Sequence, residues 1–242
     1  MIERAFADWQ PAEIPAVRAP IFANPQQELI FLVDQPDMPQ TMIQSGVIVA
    51  PRTQGDEPAR RAANVAIGGS FVSRVNMKLR EEKGWTYGAR TGISGELGSR
   101  TFGVRTSVQT DRTGEAMAEI ARLFDEAITS EPISAEEALA SREALVLGLN
   151  DYWSTPGGIA TSLLYETNYG LPTDYYRGYA TLIEALDKDE LQSAVEEMIA
   201  HKPRTWLLIG DRRKIEPQLR DLGIGQIVHL DADGKRVVPA VE

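Results

Sequence analysis

The sequence predicts an α+β fold in which helices pack on one face of a mostly antiparallel sheet. The order of elements is two strands, two helices, two strands, a series of helices, and a final strand–helix–strand unit, which is typical of this class. The chain has 242 residues, with 43% hydrophobic and 25% charged residues. This length and composition are sufficient for a large globular core.

Short runs of β-branched and aliphatic residues, bounded by turn residues, predict the strands. A Gln-Pro-Asp-Met-Pro turn separates the first two strands, and Gly95–Gly98 connects the third and fourth as a hairpin. The predicted strands are 28–34, 41–50, 86–94, 100–109, 205–210 and 227–230.

Capping residues mark the helix starts. Ser134 and Glu137 form a capping-box pattern, as do Asp187 and Glu190, and Thr155 precedes a proline at the first helical position. The predicted helices are 2–9, 56–67, 70–83, 112–129, 134–152, 156–169, 174–185, 187–200 and 213–222.

The helix predicted at 70–83 is the most informative. Phe71, Val75 and Leu79 recur every four residues and predict its buried stripe. Gly84 follows where a left-handed cap is wanted. Arg80 then lies in the last helical turn, and the reversal at Gly84 returns the chain so that Tyr87 can lie near it.

The N-terminal region differs from the rest of the chain. Prolines recur through residues 8–27, which favours an extended linker, and a short helical segment precedes it. We expect residues 1–27 to be the end of a preceding domain plus this linker, and residues 28–242 to form the main domain. The chain would then be a piece of a longer polypeptide.

Charge and composition exclude several functions. The net charge of −10 argues against general nucleic-acid binding, and no apolar run approaches the roughly 18 residues of a membrane helix. The segment from Arg52 to Arg112 is an exception, with 11 Lys/Arg against 6 Asp/Glu. This excess is either chance segregation of solvated side chains or a mildly positive wall around Arg80. The absence of cysteine excludes thiolate metal sites but leaves the cellular compartment open.

Arg80 and Tyr87 form the candidate site. A guanidinium can hold a peptide carbonyl by charge-assisted hydrogen bonds, and a phenol can donate to the oxyanion that forms on attack. Structural roles are also available from spacing alone, since an arginine suits a helix C-terminus and a tyrosine suits a strand.

The stretch Gly68-Gly-Ser-Phe-Val-Ser-Arg, continued by Leu79-Arg-Glu-Glu-Lys-Gly-Trp-Thr-Tyr87, resembles the C-terminal, zinc-free domain of the M16 peptidases. This family includes pitrilysin, insulin-degrading enzyme and the mitochondrial processing peptidases. The resemblance extends over most of the chain, and its further segments are Phe6–Trp9 with the Pro-rich linker, Leu32–Asp34 with Gln40-Thr41, Tyr169–Tyr176, and Gly210-Asp211 with Leu230–Gly234. The resemblance implies an α/β sandwich of two ferredoxin-like halves, and an Arg–Tyr pair seven residues apart that matches Arg80 and Tyr87.

The resemblance also implies the function. The chain would be the non-zinc half of a zinc metalloendopeptidase, inactive alone, in which Arg80 grips the peptide substrate and Tyr87 stabilises the oxyanion. A His-x-x-Glu-His domain or subunit would be its partner, on the same chain or in a homo- or heterodimer, and would carry the zinc. The edge strand would pair with an extended peptide. The alternative is a non-catalytic assembly subunit with the same fold, as in the mitochondrial bc1 complex.

No His-x-x-Glu-His occurs in the chain, and His201 and His229 are interpreted as surface or strand-end residues. We therefore expect no metal or cofactor in this chain. Asp231–Lys235 resembles the start of a calcium loop but lacks its closing glutamate, which favours a hairpin turn. A stand-alone enzyme of another class finds no nucleophile–base pair or cofactor loop here.

Overall fold

The computed structural model describes residues 1–10, 12–13, 21–52, 56–95, 98–199 and 202–237. Six strands in these ranges form one sheet with the order β3-β4-β2-β5-β1-β6. The strands are β1 (Leu29–Asp34), β2 (Gln40–Val49), β3 (Thr86–Ile93), β4 (Arg100–Gln109), β5 (Thr205–Gly210) and β6 (Gln226–Leu230).

Pairing in the sheet is mostly antiparallel. β4 is antiparallel to both β3 and β2, and β2 is antiparallel to β5. β1 is parallel to β5 and β6. The first half of the chain supplies β1 to β4, and the second half inserts β5 between β1 and β2, which makes β3 and β6 the edge strands.

The helices of the described chain differ from the prediction by only a few residues, except around residues 70–83 and 174–178. They are α1 (Ile2–Ala5), α2 (Glu57–Asn64), α3 (Arg74–Asn76), α4 (Thr113–Ala127), α5 (Ala135–Trp153), α6 (Pro156–Tyr169), α7 (Tyr179–Ala185), α8 (Lys188–Ile199) and α9 (Arg212–Leu222). A 3₁₀ turn, Tyr175–Gly178, replaces the start of the helix predicted at 174–185. The predicted caps at Ser134/Glu137, Thr155 and Asp187/Glu190 are confirmed.

The core lies on one face of the sheet. α2, α4, α8 and α9 pack against the strands. Side chains alternate along β4, where residues 102, 104, 106 and 108 are buried while 101, 105, 107 and 109 are exposed. This period of two places Phe102, Val104 and Val108 against the helices and leaves the other face partly open. The predicted α+β fold, with helices on one face of a mostly antiparallel sheet, is confirmed.

The residues just before β1 contact the sheet. The amide side chain of Asn24 accepts from the Ile48 backbone N–H at 2.6 Å and donates to the Ile48 carbonyl at 2.9 Å. Ser99 lies just before β4, and its hydroxyl accepts from the Phe22 N–H and donates to the Phe22 carbonyl. None of the helices in the described parts of the chain is long and apolar enough to cross a bilayer.

Candidate functional site

The corner between α3 and β3 carries both predicted site residues. α3 continues directly into a wider π-helical segment, Met77–Glu82, that contains Arg80. The segment ends at Gly84, which has a φ of 65°. The Gly84 N–H donates to the Arg80 carbonyl at 3.1 Å and the Trp85 N–H to the Leu79 carbonyl at 3.0 Å. These bonds fix where β3 begins relative to Arg80, and the predicted left-handed cap is confirmed.

The buried stripe predicted for this helix is wrong at its first position. Val75 and Leu79 are fully buried, but Phe71 is 49% exposed. The helix begins at Arg74 rather than at Ser70, and Ser70–Ser73 form a turn. The Ser73 hydroxyl donates to the Ser70 carbonyl at 2.6 Å and holds this turn in place. A residue in such a turn does not share the helical period, so Phe71 leaves the stripe.

Phe71 instead contacts Arg80. The Arg80 guanidinium lies 4.5 Å from the centre of the Phe71 ring. Its Nε is 3.4 Å from a carboxylate oxygen of Glu81, and the Arg80 side chain is 35% exposed. A pair this exposed contributes little to stability. The head of Arg80 is therefore oriented by an aromatic face, while its ion pair can be exchanged for another acceptor.

A β-bulge sets the position of Tyr87. Thr86 pairs with Val108 and Ala89 with Thr106, so two residues of β3, Tyr87 and Gly88, oppose a single residue of β4. The Thr86 hydroxyl accepts from the Gly88 N–H at 3.0 Å. Bulges commonly redirect a side chain at a sheet edge. Tyr87 is 90% exposed here, on the edge strand.

Asn76 connects the two halves of this corner, and the sequence did not predict it. Its side chain is buried within α3. The amide oxygen accepts from the Ala89 N–H at 2.9 Å, and the amide nitrogen donates to the Phe71 carbonyl at 2.6 Å. Asn76 thus ties α3 to both the turn with Phe71 and the strand with Tyr87. An asparagine inside a predicted helix, where its propensity is poor, was the available signal.

The corner therefore presents a guanidinium and a phenol on one backbone unit. Arg80 precedes the glycine reversal and Tyr87 follows it, and both side chains reach the surface. Chemically, the guanidinium and the phenol can donate hydrogen bonds to a polarised carbonyl oxygen supplied from outside the chain. The catalytic roles of the two residues stay a prediction.

The positions of the histidines bear on the prediction that this chain holds no metal. His229 lies in β6, where its Nε2 is 3.3 Å from a Glu216 carboxylate oxygen. His201 lies outside the described residues. Across the described ranges, no three His, Cys, Asp or Glu side chains are grouped as a metal site. The absence of a metal from this chain stays a prediction.

The calcium-loop resemblance of Asp231–Lys235 is explained by a turn. One Asp231 carboxylate oxygen accepts from the backbone N–H groups of Asp233 and Lys235 at 3.0 and 2.8 Å. Leu230 forms a bridge with Arg236 across this reversal. The hairpin turn predicted for this segment is confirmed.

Comparison with solved structures shows the same fold in longer proteins. A peptidase M16 inactive domain from Pseudomonas fluorescens superimposes with a TM-score of 0.71 at 18% identity, over 81% of this chain and 46% of that one. A protease from Helicobacter pylori gives 0.73 at 14% identity, over 86% and 50%. A chain of Complex III2 from Candida albicans gives 0.63 at 8% identity, over 80% and 49%.

The chain therefore spans about half the length of these structures. No curated protein sequence matches it. The family described as "Peptidase M16 inactive domain" matches residues 1–145, which include the corner with Arg80 and Tyr87. This match covers more than half of the sequence, and the chain belongs to the peptidase M16 inactive-domain family.

Proposed function

We propose that this chain is the non-zinc half of an M16-type zinc metalloendopeptidase. It would close over the zinc site of a partner domain or subunit and contribute Arg80 and Tyr87 to the bound peptide. When bound in that partner, zinc supplies the Lewis acid for hydrolysis. The residues of this chain hold the substrate and stabilise charge.

The exposure of Tyr87 carries the proposal. A tyrosine that is 90% exposed on an edge strand buries almost no apolar surface. Its contribution to the stability of this domain is therefore small. The bulge and the hydrogen bond from the Gly88 N–H to the Thr86 hydroxyl nevertheless give its backbone a defined direction. An outward-facing phenol on a backbone of defined direction is suited to donate a hydrogen bond to a group on a neighbouring molecule.

Arg80 has a separate role in this proposal. Its guanidinium lies over the Phe71 ring, and its side chain is 35% exposed, so its N–H groups can reach an acceptor outside the chain. A substrate carbonyl would replace Glu81 as its acceptor. Because this contact exists before and after the attack on the peptide, it contributes to binding in both states. Tyr87, by contrast, donates to charge that develops only in the transition state.

The test is reconstitution. The chain is combined with a His-x-x-Glu-His domain of its own polypeptide or organism, and cleavage of a fluorogenic peptide is followed. We expect activity only when both components are present. Tyr87→Phe should lower kcat by about 100- to 1,000-fold with little change in KM. Arg80→Gln should mainly raise KM.

Matched variants control for surface effects. Tyr152→Phe removes the hydroxyl of a tyrosine that is 43% exposed on α5, and Arg105→Gln removes an exposed cation on β4. Both should retain the full activity of the reconstituted enzyme. Unchanged kinetics in Tyr87→Phe would contradict the assigned role.

A second candidate is an assembly subunit without a catalytic role. The similarity of fold to a chain of Complex III2 supports it. So does the apolar surface of α5 and α6, where Leu147, Leu163 and Leu164 are each more than half exposed. Stable complex formation with the zinc-bearing partner, without any gain in peptide cleavage, would favour this candidate.

A further inference from the structure

A charged pocket opens at the end of the sheet where β2 and β3 finish and β4 begins. Its volume is about 390 Å³, within the range of small-molecule sites. α2 and the outer helices α5 and α6 complete its wall, and the backbone of Gly69 and Gly92 lines it. A side-chain carbon at Gly92 would meet no atom within 4 Å, so the space beside this glycine is open.

Three arginines of this pocket surround one carboxylate. Arg100 binds Glu57 with two hydrogen bonds, of 2.7 and 3.3 Å. The Nε of Arg61 donates to Glu57 at 3.2 Å, and an Arg52 nitrogen lies 4.0 Å from the same oxygen. Burial raises the pKa of Glu57, but the hydrogen bond and charge of Arg100, with the charges of Arg61 and Arg52, lower it below its ordinary value. Glu57 is therefore ionised. Among the described residues that line the pocket, the three arginines and this one carboxylate leave an excess of two positive charges.

This excess is costly in a partly enclosed space. The side chains of Glu57, Arg100 and Arg52 are 2%, 3% and 4% exposed. Arginine does not lose its proton in proteins, so the charge cannot be relieved by titration. A single arginine can pair with both oxygens of a carboxylate and neutralise its charge. The structural need to neutralise Glu57 thus explains Arg100 but not all three cations.

The Arg52 side chain has a buried donor that lacks an acceptor in the described part of the chain. Its guanidinium packs on the stacked rings of Tyr165 and Tyr169, with its carbon 5.3 and 4.6 Å from the ring centres. Its Nε is buried without a hydrogen-bond partner among the residues that the structure describes. The aromatic faces hold the cation in place but accept no conventional hydrogen bond. A buried donor of this kind requires an acceptor.

We propose that this pocket binds a small dianion of the phosphate class, with Arg52 and Arg61 as its principal ligands. A phosphate group carries about −1.5 to −2 charges at neutral pH, which matches the excess of two cations. Its oxygens can accept from the guanidinium groups of Arg52 and Arg61, both of which line the pocket, and the Arg61 side chain is 40% exposed. Arg100 remains occupied by Glu57 and the Ser94 carbonyl, and acts as a positioning residue.

The experiment uses the whole chain in phosphate-free buffer, with inorganic phosphate as the probe. Calorimetric titration should show saturable binding at one site. At about five times the dissociation constant, phosphate should raise the Tm by about 2–4 °C. Sodium chloride at matched ionic strength should not reproduce this shift, because screening is not site-specific.

Two variants identify the site. Arg52→Gln should weaken phosphate binding by about 10- to 100-fold, since it removes a charge-assisted ligand. Arg61→Gln should act in the same direction and is tolerated more easily, because Arg61 is partly exposed. Arg112→Gln is the matched control, since Arg112 is 42% exposed and pairs with Glu115 outside the pocket.

The proposal is overturned if titration to about 10 mM phosphate, at least a 20-fold excess over the protein, shows no saturable binding and no rise in the Tm. It is equally overturned if Arg52→Gln and Arg61→Gln bind phosphate as the unmodified chain does, or if Arg112→Gln loses binding to the same extent. Binding of an acidic peptide without binding of phosphate would also contradict it. No zinc-bearing partner is present in these measurements, so their outcome is independent of the proposed proteolytic function.

Discussion

The corner with Arg80 and Tyr87 and the pocket with Glu57 hold their charged and polar groups in opposite ways. In the corner the side chains are exposed, and backbone bonds at Gly84, the bulge and Asn76 set their direction. In the pocket the side chains of Glu57, Arg100 and Arg52 are buried, and ion pairs hold them to one another and to the partly exposed Arg61. The corner can therefore lose a side chain without unfolding, whereas the pocket cannot lose its carboxylate so easily.

The largest effect is expected for Glu57→Gln. The substitution leaves three arginines around a neutral amide and should cost about 3–5 kcal/mol in the free energy of unfolding. Denaturant titration in phosphate-free buffer measures it. Glu115→Gln, which alters a 53% exposed partner of Arg112, should stay within about 0.5 kcal/mol. Equal effects of the two variants would contradict the contrast between buried and exposed charges.

The same carboxylate makes a pH prediction. The pKa of Glu57 is lower in the folded chain than its ordinary value of 4.5. Its contribution to stability is therefore fully present above pH 4.5 and is lost as the pH falls through the folded-state pKa. The stability gap between the unmodified chain and Glu57→Gln should narrow on acidification below pH 4.5. A gap that stays constant down to about pH 3 would contradict this assignment, because the loss of stability begins below the ordinary pKa of 4.5.

Asn76→Ala tests the connection within the corner. It leaves the Ala89 N–H and the Phe71 carbonyl without their side-chain partners, and should cost about 1–3 kcal/mol. In the reconstituted enzyme it should also lower kcat, because Tyr87 loses its support two residues from the broken bond. Asn150→Ala, at an exposed position of α5, is the control and should change neither quantity. Loss of stability with unchanged kcat would restrict Asn76 to a structural role.

The smallest stability effect is expected for Tyr87→Ala. The residue is 90% exposed, so the free energy of unfolding should change by less than about 0.5 kcal/mol. A loss above about 1.5 kcal/mol would show that Tyr87 serves the fold and would weaken the contrast between the two regions. The same variant in the reconstituted enzyme separates stability from activity.

Local signals in the sequence predicted the elements well. A capping box joins residues three apart, as in Ser134 and Glu137, and a glycine cap depends on the φ of one residue. Such features depend on residues that are close together in the sequence, so a local stretch of the chain is sufficient to predict them. The family motif is likewise continuous, which is why Arg80 and Tyr87 could be selected as candidates.

The sequence by itself determined the fold class, most of the helix ends and the segment that carries the candidate site. Tertiary structure alone decided that Phe71 leaves its helix to contact Arg80, that Tyr87 lies on a bulge, and that Asn76 joins the two. It also brought Glu57 and Arg100 together from positions 43 residues apart. Contacts of this kind depend on sheet order and helix packing, which no local window of the chain contains.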